Sequence, residues 1–155
     1  LEINKILLNE NIFLSWENIN YEEIKIRIKY PLELKEKIYL STNDSSIIIK
    51  SEFLDKECVP CEIEIIEPEY SFNKILTETT DFLNTDEKIK YERIKLMLNN
   101  KKNKEYASYE MAVLLRNNEY YLNALYILHQ QLINSPKNNY LKKEYNQILN
   151  FLYLN

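Results

Sequence analysis

The spacing of apolar side chains changes period near residue 70, and that change commits the chain to two kinds of structure in a fixed order. Before it, Ile12, Leu14 and Trp16 alternate with Phe13, Ser15 and Glu17, and Ile24, Ile26, Ile28 and Tyr30 alternate with Lys25, Arg27 and Lys29. A period of two is that of a strand with one wet face. Further strand patterns at 3–8, 37–41, 46–50 and 61–67 are bounded by Asn, Asp, Ser or Pro corners. Six short strands with no helix between them predict a small antiparallel β-sandwich over residues 1–69. After Pro68, Phe72, Ile75, Leu76, Thr79, Phe82 and Leu83 recur at helical spacing behind Ser71, which reads as an N-cap. Ile89, Ile94, Met97 and Leu98 make a second helical face, opened by Asp86 and Glu87, whose carboxylates suit a helix N-terminus. Helical spacing continues at 105–116, 119–133 and 138–153. The expected class is therefore α+β with the two kinds segregated, the helical part being a domain of about five helices over 70–155.

Composition sharpens this in two ways. Hydrophobic residues make up 45% of the chain, enough for a real core, and the tyrosines read first as filler for it. There is no glycine at all, so backbone positions with positive φ pass to Asn or Asp, the next most tolerant residues. Asn-rich corners are expected at Asn9-Glu10-Asn11, Asn18-Ile19-Asn20, Asn43-Asp44 and Asn99-Asn100. A net charge of −4 gives no global attraction to nucleic acid or anionic lipid. The one basic cluster, Lys101-Lys102-Asn103-Lys104, has no aromatic platform beside it and reads as a solvated interhelical loop. No apolar run approaches the ~18 residues that a membrane span needs. A start at Leu1 is what a processed protein or a piece of a longer one would show, and for a processed product the periplasm or cell envelope is favoured over the cytoplasm.

Within the helical half, Ala112, Ala124, Leu128 and Pro136 lie on two short amphipathic helices joined by Asn117-Asn118. Over 105–138 this resembles one tetratricopeptide repeat, in which two small residues let the helices approach, a large apolar one fills the seam and a proline closes the unit. Gln131 departs from the pattern, standing where the family has a small residue. One unit earlier, Glu78 and Lys90 fall at the small positions, so that hairpin is at best a degenerate repeat. The resemblance implies antiparallel hairpins with the first helix on a concave wall, which places Tyr106, Tyr109, Val113, Arg116 and Asn117 toward a partner. Family members that clamp a terminal carboxylate use Lys, Arg and Asn there. Tyr109 and Val113 imply an apolar or aromatic ligand segment instead. The last helix has Asn146 at the small position and reads as a cap, yet Leu149, Phe151 and Tyr153 make it apolar nearly all round. These three residues are expected to face a protein partner, or a second copy of the chain in a homo-oligomer formed through this helix.

In the first half, Trp16 late in one strand, followed by the strand at 24–30, is similar to the early strands of fibronectin type III and Ig-like sandwiches, where a buried Trp packs between sheets. In such a sandwich the third strand lies beside the sixth. Lys25, Arg27 and Lys29 would then face Glu62 and Glu64 across the ladder, on a face read as solvated.

Chemistry is sparse. Cys58-Val59-Pro60-Cys61 has the spacing of a redox motif, but Cys61 leads into a strand, so the helix N-terminus that lowers a thiol pKa is absent. Plain thiols, a local disulfide, and redox or intermolecular metal chemistry stay open for Cys58 and Cys61. His129 is the sole imidazole, too few for a two-His metal site, and reads as a satisfied interhelical histidine. Without glycine there is neither a nucleophile elbow nor a phosphate-cradling loop, and Glu110, between Tyr109 and Met111, reads as a surface carboxylate. No catalytic residue, metal or cofactor is expected. The expected function is a non-enzymatic protein-interaction or scaffold domain of a larger assembly, of the cell-envelope or motility kind. The alternatives are a thiol-disulfide redox protein using Cys58 and Cys61, and a structural spacer segment.

Overall fold

The computed structural model describes residues 3–16, 23–30, 35–42, 44–54, 61–66, 72–100 and 102–154. Strands come first and helices follow, a segregated α+β arrangement. Two compact units result, Leu1–Thr80 and Asp81–Asn155.

The first unit holds seven strands among the described residues: β1 (Ile3–Leu7), β2 (Ile12–Ser15), β3 (Ile24–Tyr30), β4 (Lys35–Thr42), β5 (Ser46–Ile49), β6 (Cys61–Ile66) and β7 (Phe72–Thr80). Five form one sheet in the order β1-β7-β6-β3-β4, and β2 pairs with β5 in a second. All pairs are antiparallel except β1 with β7. Alternation decides which side chains are buried. Ile24, Ile26 and Ile28 of β3 and Ile63 and Ile65 of β6 are all buried, and the register sets Ile26 beside Ile65 and Ile28 beside Ile63. Ile6, Ile12, Leu14, Trp16 and Ile49 are buried as well.

Side chains tie the segment after β5 to the large sheet. The Tyr30 hydroxyl donates to the Phe53 carbonyl at 2.6 Å and the Thr79 hydroxyl to the Leu54 carbonyl at 3.1 Å. The Ser51 amide donates to Asn11 Oδ1 at 2.9 Å, fixing the loop before β2 to the same segment.

Three expectations need correction. The helix expected from Phe72 to Leu83 is strand β7, which runs beside β6 from Phe72 opposite Ile66 to Thr77 opposite Cys61. Its residues fit helical spacing, but Ile75, Thr77, Thr79 and Thr80 are β-branched, and the open edge of β6 offers a full ladder of hydrogen bonds. It supplies the strand beyond the six expected, and the described residues hold four helices, not five. Second, the charges between β3 and β6 are paired as expected, with Arg27 opposite Glu64 and Lys29 opposite Glu62, but that face is not simply solvated. Glu64 is 1% exposed; it accepts from Arg27 Nε at 2.7 Å and also from Arg27 Nη2, while Lys29 Nζ lies 3.3 Å away. Burial acts upward on this carboxyl, and the two cations outweigh it, holding the group below the usual carboxylate range. Third, positive φ falls on Asn9 as expected, but also on Asn103 and on Glu119, at 67°. The corners at Asn18–Asn20 and Asn43 lie outside the described residues.

The second unit is four helices: α1 (Thr85–Asn99), α2 (Lys104–Asn117), α3 (Tyr121–Asn134) and α4 (Asn139–Leu154). Asn84 caps α1, its side-chain oxygen accepting from the Asp86 amide at 2.8 Å. A short connection folds α3 back on α2, and the two helices bury Ala107, Met111, Ala112, Leu115, Ala124, Leu125 and Leu128. Small residues on both helices let the backbones approach and the large ones interlock beside them. Gln131 is accommodated because Ser108 opposite is small. Ser108 Oγ donates to Gln131 Oε1 at 3.3 Å, and Gln131 Nε2 to Ser135 Oγ at 3.1 Å, so the amide enters the seam with its polar atoms satisfied. On α4, Leu141 and Ile148 are buried and Tyr145 and Leu152 are half-buried, the face expected from their spacing.

Candidate interaction face on the second and fourth helices

Residues 106, 109, 113 and 116 recur every three to four positions and so share one stripe of α2. Tyr106 begins it and is 59% exposed. Its hydroxyl is hydrogen-bonded to the Glu110 carboxylate one turn on, and that bond holds the phenol above its ordinary pKa. Tyr109, half-buried, meets the ring of Tyr140 edge-on, with centroids 6.3 Å apart. Tyr140 itself is 76% exposed. Val113 is half-buried and Asn117 exposed.

Arg116 is engaged inside the unit, its Nε 2.6 Å from Oε1 of the buried Glu144 on α4. The start of α4 is fixed to α2 as well. Asn138 Nδ2 donates to Glu105 Oε2 at 3.0 Å, while Asn138 Oδ1 accepts from the Leu141 amide and caps the helix. The stripe of α2 is thus flanked by α4, and a face forms that carries Tyr106, Tyr109 and Tyr140 at one end and the Arg116–Glu144 ion pair further along.

Tyr140 and Glu144 belong to this face but fall outside the residues expected for it. A signal for them exists in the sequence: Tyr106 and Glu110 recur 34 positions later as Tyr140 and Glu144. The expected residues of α4 stand apart. Phe151 is 45% exposed and its ring lies 4.7 Å from that of Tyr121, at the start of α3. Leu149 is half-buried. The side chain of Tyr153 lies outside the described residues, although its backbone is part of α4.

The remaining candidates contribute little to this face. Cys58 lies outside the described residues, and Cys61 is the first residue of a strand, not of a helix. His129 is half-buried on α3, and burial alone pushes its pKa down. Ser135 serves Gln131. Among the described residues no cluster of three His, Cys, Asp or Glu side chains has the geometry to hold a metal ion, and no helix is long and apolar enough to cross a membrane.

Set against models of known protein families, the sequence matches none, and no curated protein matches it.

Proposed function

We propose that this chain is a non-enzymatic protein-interaction domain, a scaffold part of a larger assembly, whose helical unit presents the α2/α4 face to a partner. The observation that carries the reading is the chemistry of that face. Two of its rings, Tyr106 and Tyr140, are exposed, while its cation, Arg116, is already paired with Glu144. Exposed tyrosines give a large, stiff contact area at low entropic cost. With Arg116 occupied, a terminal carboxylate is a poor ligand and an apolar or aromatic chain segment a good one.

A finer reading of both units agrees with this use. The recurrence of Tyr106 and Glu110 as Tyr140 and Glu144, and the small-residue seam between α2 and α3, support a tetratricopeptide-like array in which α2 and α4 are successive first helices. The order β4-β3-β6-β7 in one sheet, with β2 and β5 in the other, supports an Ig-like or fibronectin type III-like sandwich. Both architectures serve as binding modules or spacers, though a fold by itself assigns no activity.

The test compares partner capture by the unaltered chain and by the Tyr106→Ser/Tyr140→Ser variant, with circular dichroism as a control for folding. A partner held by the first and released by the second supports the face. Equal capture by both refutes it.

A further inference from the structure

We infer that the tyrosine end of the α2/α4 face seats a basic side chain, the lysine or arginine of a bound protein segment. The cation lies on the rings of Tyr106, Tyr109 and Tyr140 with the Glu110 carboxylate beside it, an assignment that rests on the proposed use of that face. Tyr109 and Tyr140 supply two walls at a steep angle, 65° between ring planes with centroids 6.3 Å apart. Tyr140 is 76% exposed, and Tyr106, one turn before Tyr109 on α2, is 59% exposed, so both keep much of their ring surface open. An open tyrosine face is the negative side of the ring quadrupole and attracts a cation.

Glu110 decides between a cation and one more ring. It is half-buried, and its carboxylate accepts from the Tyr106 hydroxyl, a neutral donor that leaves the negative charge unmatched. Its own helix offers no cation within reach, since Tyr106, Ala107, Val113 and Leu114 stand three and four positions away on either side. Arg116 is taken by Glu144. Among the described residues Glu110 makes no ion pair. The phenol that donates to it ends at the carboxylate, so ring and charge adjoin, and the hydrogen bond leaves the Tyr106 ring richer in electrons.

Exposed cations stand elsewhere. Lys104, at the start of α2, is six positions before Glu110 and about 120° round the helix from it. Lys137, just before α4, and Lys143, on it, lie three positions to either side of Tyr140. The charges are therefore divided, negative at Glu110 on α2 and positive by α4. That division puts the bound cation on the α2 side, with the apolar neighbours in its segment on Tyr109 and Tyr140. A ring contact and an exposed ion pair are each modest, about two- to fivefold in affinity.

Random decapeptides displayed on phage and selected on the immobilised full chain test this. The most enriched peptide is then synthesised with a fluorescein label and titrated by anisotropy, beside an analogue with norleucine in place of its basic residue. Enriched peptides should carry lysine or arginine among apolar or aromatic residues, and should lose binding to the Tyr106→Ser/Tyr140→Ser variant. Norleucine should weaken binding about tenfold to the unaltered chain but only about threefold to Glu110→Gln, which keeps the rings and lacks the charge. Circular dichroism confirms that the variants fold. Peptides that the tyrosine variant releases yet that hold no basic residue overturn the inference and leave the face standing, as does an equal effect of norleucine with and without the Glu110 charge. No enriched peptide, or peptides that the tyrosine variant binds equally well, overturn the face and the inference together.

Discussion

Substituting Leu for Ala124 probes the joint on which the helical unit depends. Ala124 of α3 is fully buried, as are Leu128 on the same helix and Ala112 on α2, and none of them leaves any surface to solvent. Leu adds three carbons at a position that already leaves no surface to solvent. Helix propensity changes little, since Leu ranks close to Ala. The cost is therefore that of overpacking, about 1–3 kcal/mol. For a unit the size of Asp81–Asn155 each kcal/mol lowers Tm by about 4–8 °C. The two units can be followed separately, because the only tryptophan, Trp16, lies in the first, and the helices that dominate ellipticity at 222 nm lie in the second. Ellipticity should show the early transition while Trp16 fluorescence keeps its own. Gln147→Leu, an exposed site on α4, serves as the control. A change at Ala124 within about 0.5 kcal/mol of neutral, the range of ordinary surface sites, would mean that the helices do not meet there.

Glu119 holds a left-handed backbone at φ 67°, a conformation that costs a residue bearing a Cβ about 1 kcal/mol, so Glu119→Gly should raise the ellipticity-monitored Tm of the helical unit by a few degrees, and a fall would show that the strain is not there. Arg116→Ala leaves Glu144 buried without its cation and should cost about 3 kcal/mol, more than Glu144→Gln, in chemical denaturation. Glu64 has a folded-state pKa below its unfolded one, so the stability it contributes is present above the ordinary carboxylate range and is lost as pH falls through the lower folded value. Acid titration of Trp16 fluorescence should show this loss, and Glu64→Gln should flatten it.

Much of the first unit was legible because β3 alternates buried isoleucines with more exposed lysine and arginine. The pairing of β3 with β6 followed from the resemblance to a sandwich and from the opposed charges, and the alternating isoleucines hold its register, since a slip of one residue would turn every isoleucine outward. β7 was not legible, because Phe72, Ile75, Leu76 and Thr79 satisfy a helical period almost as well as a strand one, and the choice rests with the open edge of β6. Glu64 gave no sign of burial in the sequence. Its depth depends on Arg27 and Lys29 closing over it. On the helical side, the alanines of the seam marked the contact between α2 and α3 directly. The flank of α2 was harder to see, because Tyr140 and Glu144 lie on a helix whose most conspicuous residues, Leu149 and Phe151, stand elsewhere. Glu119 shows the limit of composition: without glycine a corner passed not to Asn117 or Asn118 but to the residue after them.

The most direct measurement of the proposed role is photo-crosslinking in cells, with a benzophenone amino acid placed singly at Tyr106, at Tyr140 and, as a control, at Ile133, which is exposed on α3 outside this face. If the α2/α4 face receives a partner, positions 106 and 140 should give the same discrete adduct, to a protein other than this chain, and position 133 should not. No adduct at 106 and 140, or the same adduct at all three, would contradict it.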